Sequence, residues 1–305
     1  MSSGDGSWIT RQVLTMKEVL IVAEIGCNHK GDMEIAKELI TTAAVFCKVD
    51  AVKFQKRNPS ELLTAEQYGA PHPNPANAFG TTYGEHREYL EFDQQQHAQL
   101  KAWCEEFGLV YSCSVWDLTS ARQIAAMSPS FIKIPSASNQ HYEMLEYLAD
   151  EFPGEIHVSL GMTTRAEEDR LVDFFRQHGR AKDVVLYVCT SGYPVAFEDI
   201  CLLEISRLRD RYGDVVKAIG FSGHHLGIAA DIGALALGAT YFERHYTLDR
   251  TWKGTDHAAS LEPDGMRRLA RDLRNVSRAL RAKPSELLEV EIPQRSKLKW
   301  GEYNR

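Results

Sequence analysis

Four basic side chains stand where short apolar runs of this 305-residue chain end: Lys53, Lys133, His224 and His245. Two imidazole nitrogens brought together suit a divalent cation such as Mn²⁺, Fe²⁺, Co²⁺ or Zn²⁺, with the remaining positions left to water, carboxylate or substrate. A lone histidine is more often structural, but two at neighbouring element ends, with Glu243 and Asp256 close in sequence, favour a metal site. His225 reads as support behind His224. Lysine is rarely buried without an anionic partner, so a pair of lysines points to a multiply charged anion. Ser136, Ser159 and Ser222 offer hydroxyl donors around the same group. Two rival readings of the lysines stand beside this one. They could form structural ion pairs with Glu24 or Glu243, or one could form a Schiff base, which is less attractive where a metal already supplies Lewis acidity. Cys113 and Cys189 read as packing residues rather than nucleophiles. Tyr193, in a turn with Pro194, either reaches substrate hydroxyls or plugs a rim.

The elements that must position these groups are legible as a repeat of eight apolar runs, each ending in polar or charged residues. Val19–Ala23 meets Glu24, Ala51–Val52 meets Lys53 and Gln55, Leu109–Tyr111 meets Ser112 and Ser114, and Phe131–Ile132 meets Lys133. Ile156–Val158 then meets Ser159, Val184–Val188 meets Cys189, Val215–Phe221 meets Ser222 and His224, and Ala239–Phe242 meets Glu243 and His245. Short apolar runs separated by helix-length segments read as buried parallel strands with crossover helices. Their number and span predict a (β/α)8 barrel, an α/β fold whose active site lies at the C-terminal strand ends. One domain over residues 1–305 is expected, with the barrel from about 19 to 281, a short polar start and a C-terminal tail.

Helical spacing of Ile35, Leu39 and Ile40, of Leu145, Leu148 and Ala149, and of Leu269, Leu273 and Val276 supports the crossovers. Asp93 and Thr164 are predicted N-caps, Thr164 with Glu167 as a capping box, and Ser260 is a candidate cap for the helix that Pro263 helps start. Almost forty residues separate Gln55 from Asp93, and so long a connection reads as a lid or clamp anchored by Tyr83, His86, Tyr89 and Phe92 rather than as a loose insertion. Lys56 and Arg57 at its start either receive a sugar phosphate or belong to a solvated loop.

The net charge of −7 argues against general nucleic-acid binding while leaving room for a local cationic pocket. No apolar run approaches the ~20 residues of a membrane span, and Met1–Thr10 lacks the pattern of a signal peptide. The six cysteines form no CxxC pair, which fits a cytoplasmic protein.

Several separate motifs, in order, resemble the N-acetylneuraminate (sialic acid) synthase family: Ala23-Glu-Ile-Gly26 with Asn28-His29, Val52-Lys-Phe-Gln55, Tyr83-Gly-Glu-His86, Phe221-Ser-Gly-His224, Glu243-Arg-His245 and Gly254-Thr-Asp-His-Ala-Ala-Ser-Leu-Glu-Pro263. The likeness runs from about Leu20 to Leu280 and leans to the animal-type enzymes. It implies condensation of phosphoenolpyruvate with an N-acetylmannosamine-type sugar, free or 6-phosphorylated, with a divalent metal, Mn²⁺ or Mg²⁺, and a homodimer. Mannose 6-phosphate or another hexose is the alternative acceptor. By this resemblance His224 and His245 are the metal ligands, and Lys53, Lys133, Ser136, Ser159 and Ser222 bind phosphoenolpyruvate. Glu24, Gln55, Tyr193 and Asp256 hold metal-bound water or sugar, Glu24 or Glu243 acts as base, and Asn77 and Asn139 join the substrate contacts. Ser138 and Cys113 depart from the family pattern near sugar and phosphate, and no antifreeze-like domain is read in the chain. A metal-dependent barrel hydrolase and a non-catalytic sugar-binding barrel are the rival functions.

Overall fold

Each apolar run becomes one strand of a closed parallel barrel in the computed structural model, which describes residues 19–301. The strands are β1 (Leu20–Gly26), β2 (Ala51–Lys56), β3 (Val110–Val115), β4 (Phe131–Ile134), β5 (Glu155–Ser159), β6 (Val184–Cys189), β7 (Ala218–Gly223) and β8 (Tyr241–His245). Neighbours pair in sequence order, and β1 closes the ring against β8 from Leu20↔Tyr241 to Glu24↔His245. Helices such as Met33–Thr42, Gln94–Glu106, Arg165–Gln177 and Pro263–Ala279 cover the outside. The strands are buried on both faces, which is why their sequences run apolar rather than alternating. Met1–Thr10 and residues 302–305 lie outside the described residues.

The start of β7 differs from the sequence reading. Val215 and Val216 close the turn after the helix Leu203–Tyr212 through bonds to the Tyr212 carbonyl, so β7 begins only at Ala218. β8 ends at His245 as read, its charged inner face meeting a polar cavity rather than core. The predicted caps Asp93 and Thr164 both form capping boxes. Ser260 does not cap: Glu262 holds that place, while the Ser260 hydroxyl donates to the Asp256 carbonyl and accepts from Asn28. The predicted C-terminal tail includes an exposed short helix, Ile292–Leu298.

The long β2–β3 connection is built, not loose. It contains the helices Pro59–Leu62, Ala65–Gly69 and Tyr83–Tyr89, with Thr64 and Thr82 closing capping boxes. Phe79 stacks on Tyr89 at 4.9 Å between centroids, and His72 meets His86 edge-on at 4.3 Å. Gly84 lies so close to Tyr68 that any Cβ there would collide with the phenol ring. Among the described residues no helix is long and apolar enough to cross a membrane.

At the lower end of the barrel Val22, Ala51 and Phe131 fill the interior, with His157 stacked on Phe131 at 4.1 Å and accepting from or donating to the Tyr187 hydroxyl at 3.0 Å. On the outer face of β8, buried Arg244 donates to Asp231 at 2.5 Å, to the Gly227 carbonyl at 2.9 Å and to the His225 carbonyl at 2.5 Å. That guanidinium therefore fixes the turn that carries His224.

Two predictions follow from these buried groups. Burial holds His29 and His97 down at about 3 and His157 at about 4, so all three fold uncharged. The unfolded chain, with histidines near 6.5, binds more protons below that pH, so their contribution is complete above about 6.5 and is lost as pH falls toward 4. Urea unfolding should show no change from these groups between pH 7.5 and 6.5 and, below that down to pH 5, stability dropping by up to roughly 1.4 kcal/mol per pH unit per histidine; a profile flat down to pH 5 would contradict it. Separately, Arg244→Met should cost about 3–5 kcal/mol because Asp231 is left buried and unpaired. The double variant Arg244→Met, Asp231→Leu should recover much of that loss, measured by the same denaturation.

Candidate active site

Strand register brings the charged residues to one level. Glu24 pairs with Lys53 across β1–β2 and with His245 across β1–β8, while Ser114 pairs with Lys133 and Ser222 with Glu243. Side chains alternate across each strand, so Glu24, Lys53, Gln55, Ser114, Lys133, Ser222, Glu243 and His245 point inward. Their neighbours Ala23, Phe54, Cys113, Ile132, Phe221 and Phe242 pack into the surrounding core. This explains Cys113: its thiol is buried in the core, where burial raises its pKa well above the ordinary value. Cys189 does line the cavity, but burial raises its pKa as well, so neither sulfur is poised as a thiolate nucleophile.

The floor is a cluster of four buried charges. Lys53 Nζ contacts the Glu24 carboxylate, donates to Ser114 Oγ at 2.5 Å and lies 3.7 Å from Glu243 Oε1. Lys133 Nζ donates to Glu243 Oε2 at 2.8 Å and sits 3.9 Å above the Tyr187 ring centroid. Ser222 donates to Glu243 Oε1 at 3.3 Å, and Gln55 to Glu24 Oε1 at 3.1 Å. Taking such charges out of water is tolerated only when each has partners, and here two ammonium groups balance two carboxylates. Burial raises the Glu24 pKa despite the pull of Lys53. Against the same burial, Lys133 and Lys53 hold Glu243 well below the carboxylate range. Burial outweighs Glu243 at Lys133 and lowers its pKa, whereas Glu24 and Glu243 together raise Lys53. Glu24 is thus the carboxyl that takes a proton more readily. The lysines form ion pairs and line a cavity at the same time, so the two readings of them are not exclusive.

The histidines stand above this floor. A carbonyl can only accept, so His224 Nδ1 donates to the Thr190 carbonyl at 3.0 Å and leaves Nε2 with its lone pair. Burial, reinforced by neighbouring His245, holds His224 down at about 3. The two rings lie 5.3 Å apart between centroids. His245 Nδ1 is buried with no hydrogen-bond partner and lies 3.8 Å from Asp256 Oδ2. Two adjacent imidazoles, one with a buried nitrogen that has no hydrogen-bond partner, fit a borderline divalent cation. Among the described residues no group of three or more His, Cys, Asp or Glu is arranged to hold a metal ion. Tyr193 is 54% exposed, packs 4.4 Å from the His224 ring and lines the rim.

Twelve of the predicted residues line one cavity of about 410 Å³: Glu24, Lys53, Gln55, Lys133, Ser136, Ser159, Tyr193, Ser222, His224, Glu243, His245 and Asp256. Two do not. Asn139 is buried and donates to the Ser159 carbonyl at 2.9 Å and to Thr163 Oγ1 at 2.7 Å, so it braces the turn after β5 instead of facing a substrate. Asn77 ends the turn Pro75–Asn77 away from the cavity wall, to which the same connection contributes His72, Tyr83, His86 and Arg87. Of the pair at the end of β2, Arg57 lines the cavity whereas Lys56 does not. His225 is buried beside Arg244 and Asp231, behind the site as expected. The sequence reading missed Arg87 and Trp116. Arg87 directly follows the Tyr83–His86 motif, and Trp116 directly follows β3, so position alone could have flagged both.

The NeuB family profile matches residues 39–284. The chain is 34% identical over 293 residues to the N-acetylneuraminate-9-phosphate synthase of Homo sapiens, covering 96% of this chain and 79% of that protein. It is 30% identical over 287 residues to the N,N'-diacetyllegionaminic acid synthase of Campylobacter jejuni, covering 92% of this chain and 84% of the relative. A crystal structure of the N-acetylneuraminic acid (sialic acid) synthetase of Leptospira borgpetersenii, in complex with citrate, superposes with a TM-score of 0.78 at 27% identity, covering 94% of each chain. The profile covers most of the chain and the relatives agree with it: this chain belongs to the NeuB family.

Proposed function

We propose that this protein condenses phosphoenolpyruvate with the aldehyde of an N-acetylmannosamine-type sugar, releasing phosphate and forming a nonulosonic acid. The observation that carries the reading is the balanced cluster of Lys53, Lys133, Glu24 and Glu243 lining one cavity with the His224–His245 pair. Relatives with this barrel are named as synthases of such acids.

In this reading the two ammonium groups turn from their carboxylates to the phosphate and carboxylate of phosphoenolpyruvate, with Ser136, Ser159 and Ser222 donating hydrogen bonds. Holding the enol carbon over the aldehyde makes the encounter effectively unimolecular. A divalent cation, Mn²⁺ or Mg²⁺, held by His224 and His245 supplies Lewis acidity toward the aldehyde when bound. The carbon–carbon bond forms between C3 of the enol and C1 of the sugar, and the aldehyde oxygen becomes an alkoxide, which takes up through Glu24 the proton that water releases in the next step. Water adds to the electron-poor C2 and gives its proton to Glu24, the carboxyl whose pKa burial raises, with Glu243 as the alternative base. The carbon–oxygen bond to phosphate then breaks, leaving a 2-keto acid. Tyr193, Gln55 and Asp256 face the same space and orient the sugar hydroxyls. The reading also takes the protein as a cytoplasmic homodimer, in line with six unpaired cysteines.

Glu24→Gln keeps the side-chain shape, and Lys53 retains Ser114 and Glu243 as partners. It should lower kcat by about 10²–10³-fold, the range for losing one preorganised group, with an unchanged circular dichroism spectrum. Lys53→Ala should cost stability as well as turnover, because Glu24 and Glu243 would be left short of a cation. Chelation should abolish turnover, Mn²⁺ should restore it, and His245→Ala should raise the Mn²⁺ concentration needed by at least tenfold. Phosphate release that needs phosphoenolpyruvate alone, or no release with any mannose-derived acceptor, would overturn the reading.

A further inference from the structure

Beneath the charged floor of the cavity the barrel interior continues as a set of buried rings. Residues two apart on a strand share a face, so Tyr187 lies on the inner face of β6, one layer below the cavity-lining Cys189. Its side chain is fully buried and does not itself line the cavity. Lys133 Nζ sits 3.9 Å from the centroid of its ring. Gly220, its register partner on β7, makes room for that ring: a Cβ there would lie 2.8 Å from two of the ring carbons. The phenol is thus closely confined, with one face toward the ammonium group.

The same phenol is oriented from below. Glu155 accepts from Lys217 Nζ at 2.7 Å, and its other oxygen lies 3.3 Å from His157 Nε2. Against its partial burial, hydrogen bonds from His157 and Lys217 hold the Glu155 carboxyl down at about 2. A carboxylate can only accept, so His157 Nε2 carries the ring hydrogen. Burial holds His157 down at about 4, so near neutral pH the imidazole is uncharged and Nδ1 keeps its lone pair. Tyr187 Oη, 3.0 Å from that nitrogen, therefore donates. A phenol that donates shifts electron density toward its ring, and the negative face of an aromatic ring attracts a cation.

Lys133 is the lysine that needs such a contact. Burial lowers its pKa and Lys53 on β2 adds to the lowering, while Glu243 on β8 opposes both. The other titratable groups that face it are Cys189 on β6 and His157 on β5. At Lys53, against the same burial, Glu24 and Glu243 raise the pKa. As pH rises, Lys133 is therefore the first of the two to lose its proton. Resting on the condensation proposed above, we propose that Tyr187 is a positioning residue for that reaction: its ring face keeps the Lys133 ammonium charged and aimed into the cavity, and the Glu155–His157 pair keeps that face in place.

The test follows kcat/KM for phosphoenolpyruvate against pH in the metal-loaded full chain, with N-acetylmannosamine and its 6-phosphate as acceptors. Tyr187→Phe keeps the ring under Lys133, and phenylalanines carrying one, two and three ring fluorines at position 187 keep its shape while draining its negative face. A Tyr187→Phe, His157→Leu background, which leaves no buried imidazole nitrogen without its donor, carries the same series if the single variants are unstable. A neutral Lys133 no longer attracts the anionic substrate, so the alkaline limb should descend step by step, by about one pH unit from no fluorine to three. A limb that stays in place through the series while turnover persists overturns the role of Tyr187, and the condensation stands. A single step on Tyr187→Phe with no further descent also overturns it, because the hydroxyl rather than the ring face would then be responsible. A wild-type protein that forms no 2-keto acid with either acceptor overturns the condensation and the role of Tyr187 together.

Discussion

The structure turns on a charge balance at the centre of the barrel. Lys53 and Lys133 are essentially buried, and each is tolerable there only because Glu24 and Glu243 are brought to the same level by strand register. That requirement constrains β1, β2, β4 and β8 together, since a one-residue slip in any of them would send its charge into the apolar shell. Removing either lysine leaves its carboxylates short of a cation, so the same groups that line the cavity also tie the strands together. A multiply charged guest does not need to create a cationic site there. It only needs to compete with carboxylates for ammonium groups that are already desolvated and oriented.

The outer shell serves that centre. Arg244, the outward neighbour of Glu243 and His245, is as buried as they are but spends its donors on Asp231 and on the turn after β7. The alternation of one strand thus places catalytic candidates inside and their brace outside. His224 gains from this twice: its turn is fixed by Arg244, and its ring is fixed by the Thr190 carbonyl. A ligand nitrogen held in this way presents one lone pair in one direction, which is what supporting hydrogen bonds contribute at metal sites generally.

Much of this was legible in the chain because parallel strands in a filled barrel leave a simple signature: an apolar run that stops where the interior turns polar. Lys53, Lys133, Ser222, His224 and His245 announce themselves by that break. Reading failed where the same signature was ambiguous. Val215 and Val216 extend the apolar run of β7 but close a helix turn. Asn139 and Ser260 have the right chemistry and position for function or capping, yet both spend their hydrogen bonds on neighbouring turns. Arg87 stayed hidden because a long connection has no periodicity; only the packing of Tyr68 against Gly84, of Phe79 on Tyr89 and of His72 on His86 decides which of its side chains face inward.

The stack of Phe131, His157 and Tyr187, with Val22 and Ala51, stops the lower end of the barrel. Among the described residues that end is filled by side chains, and at the other end the β2–β3 connection contributes His72, Tyr83, His86 and Arg87 to the cavity wall. A guest reaching the lysines would thus share its way in and out with that connection, so the packing of its short helices would set what can pass.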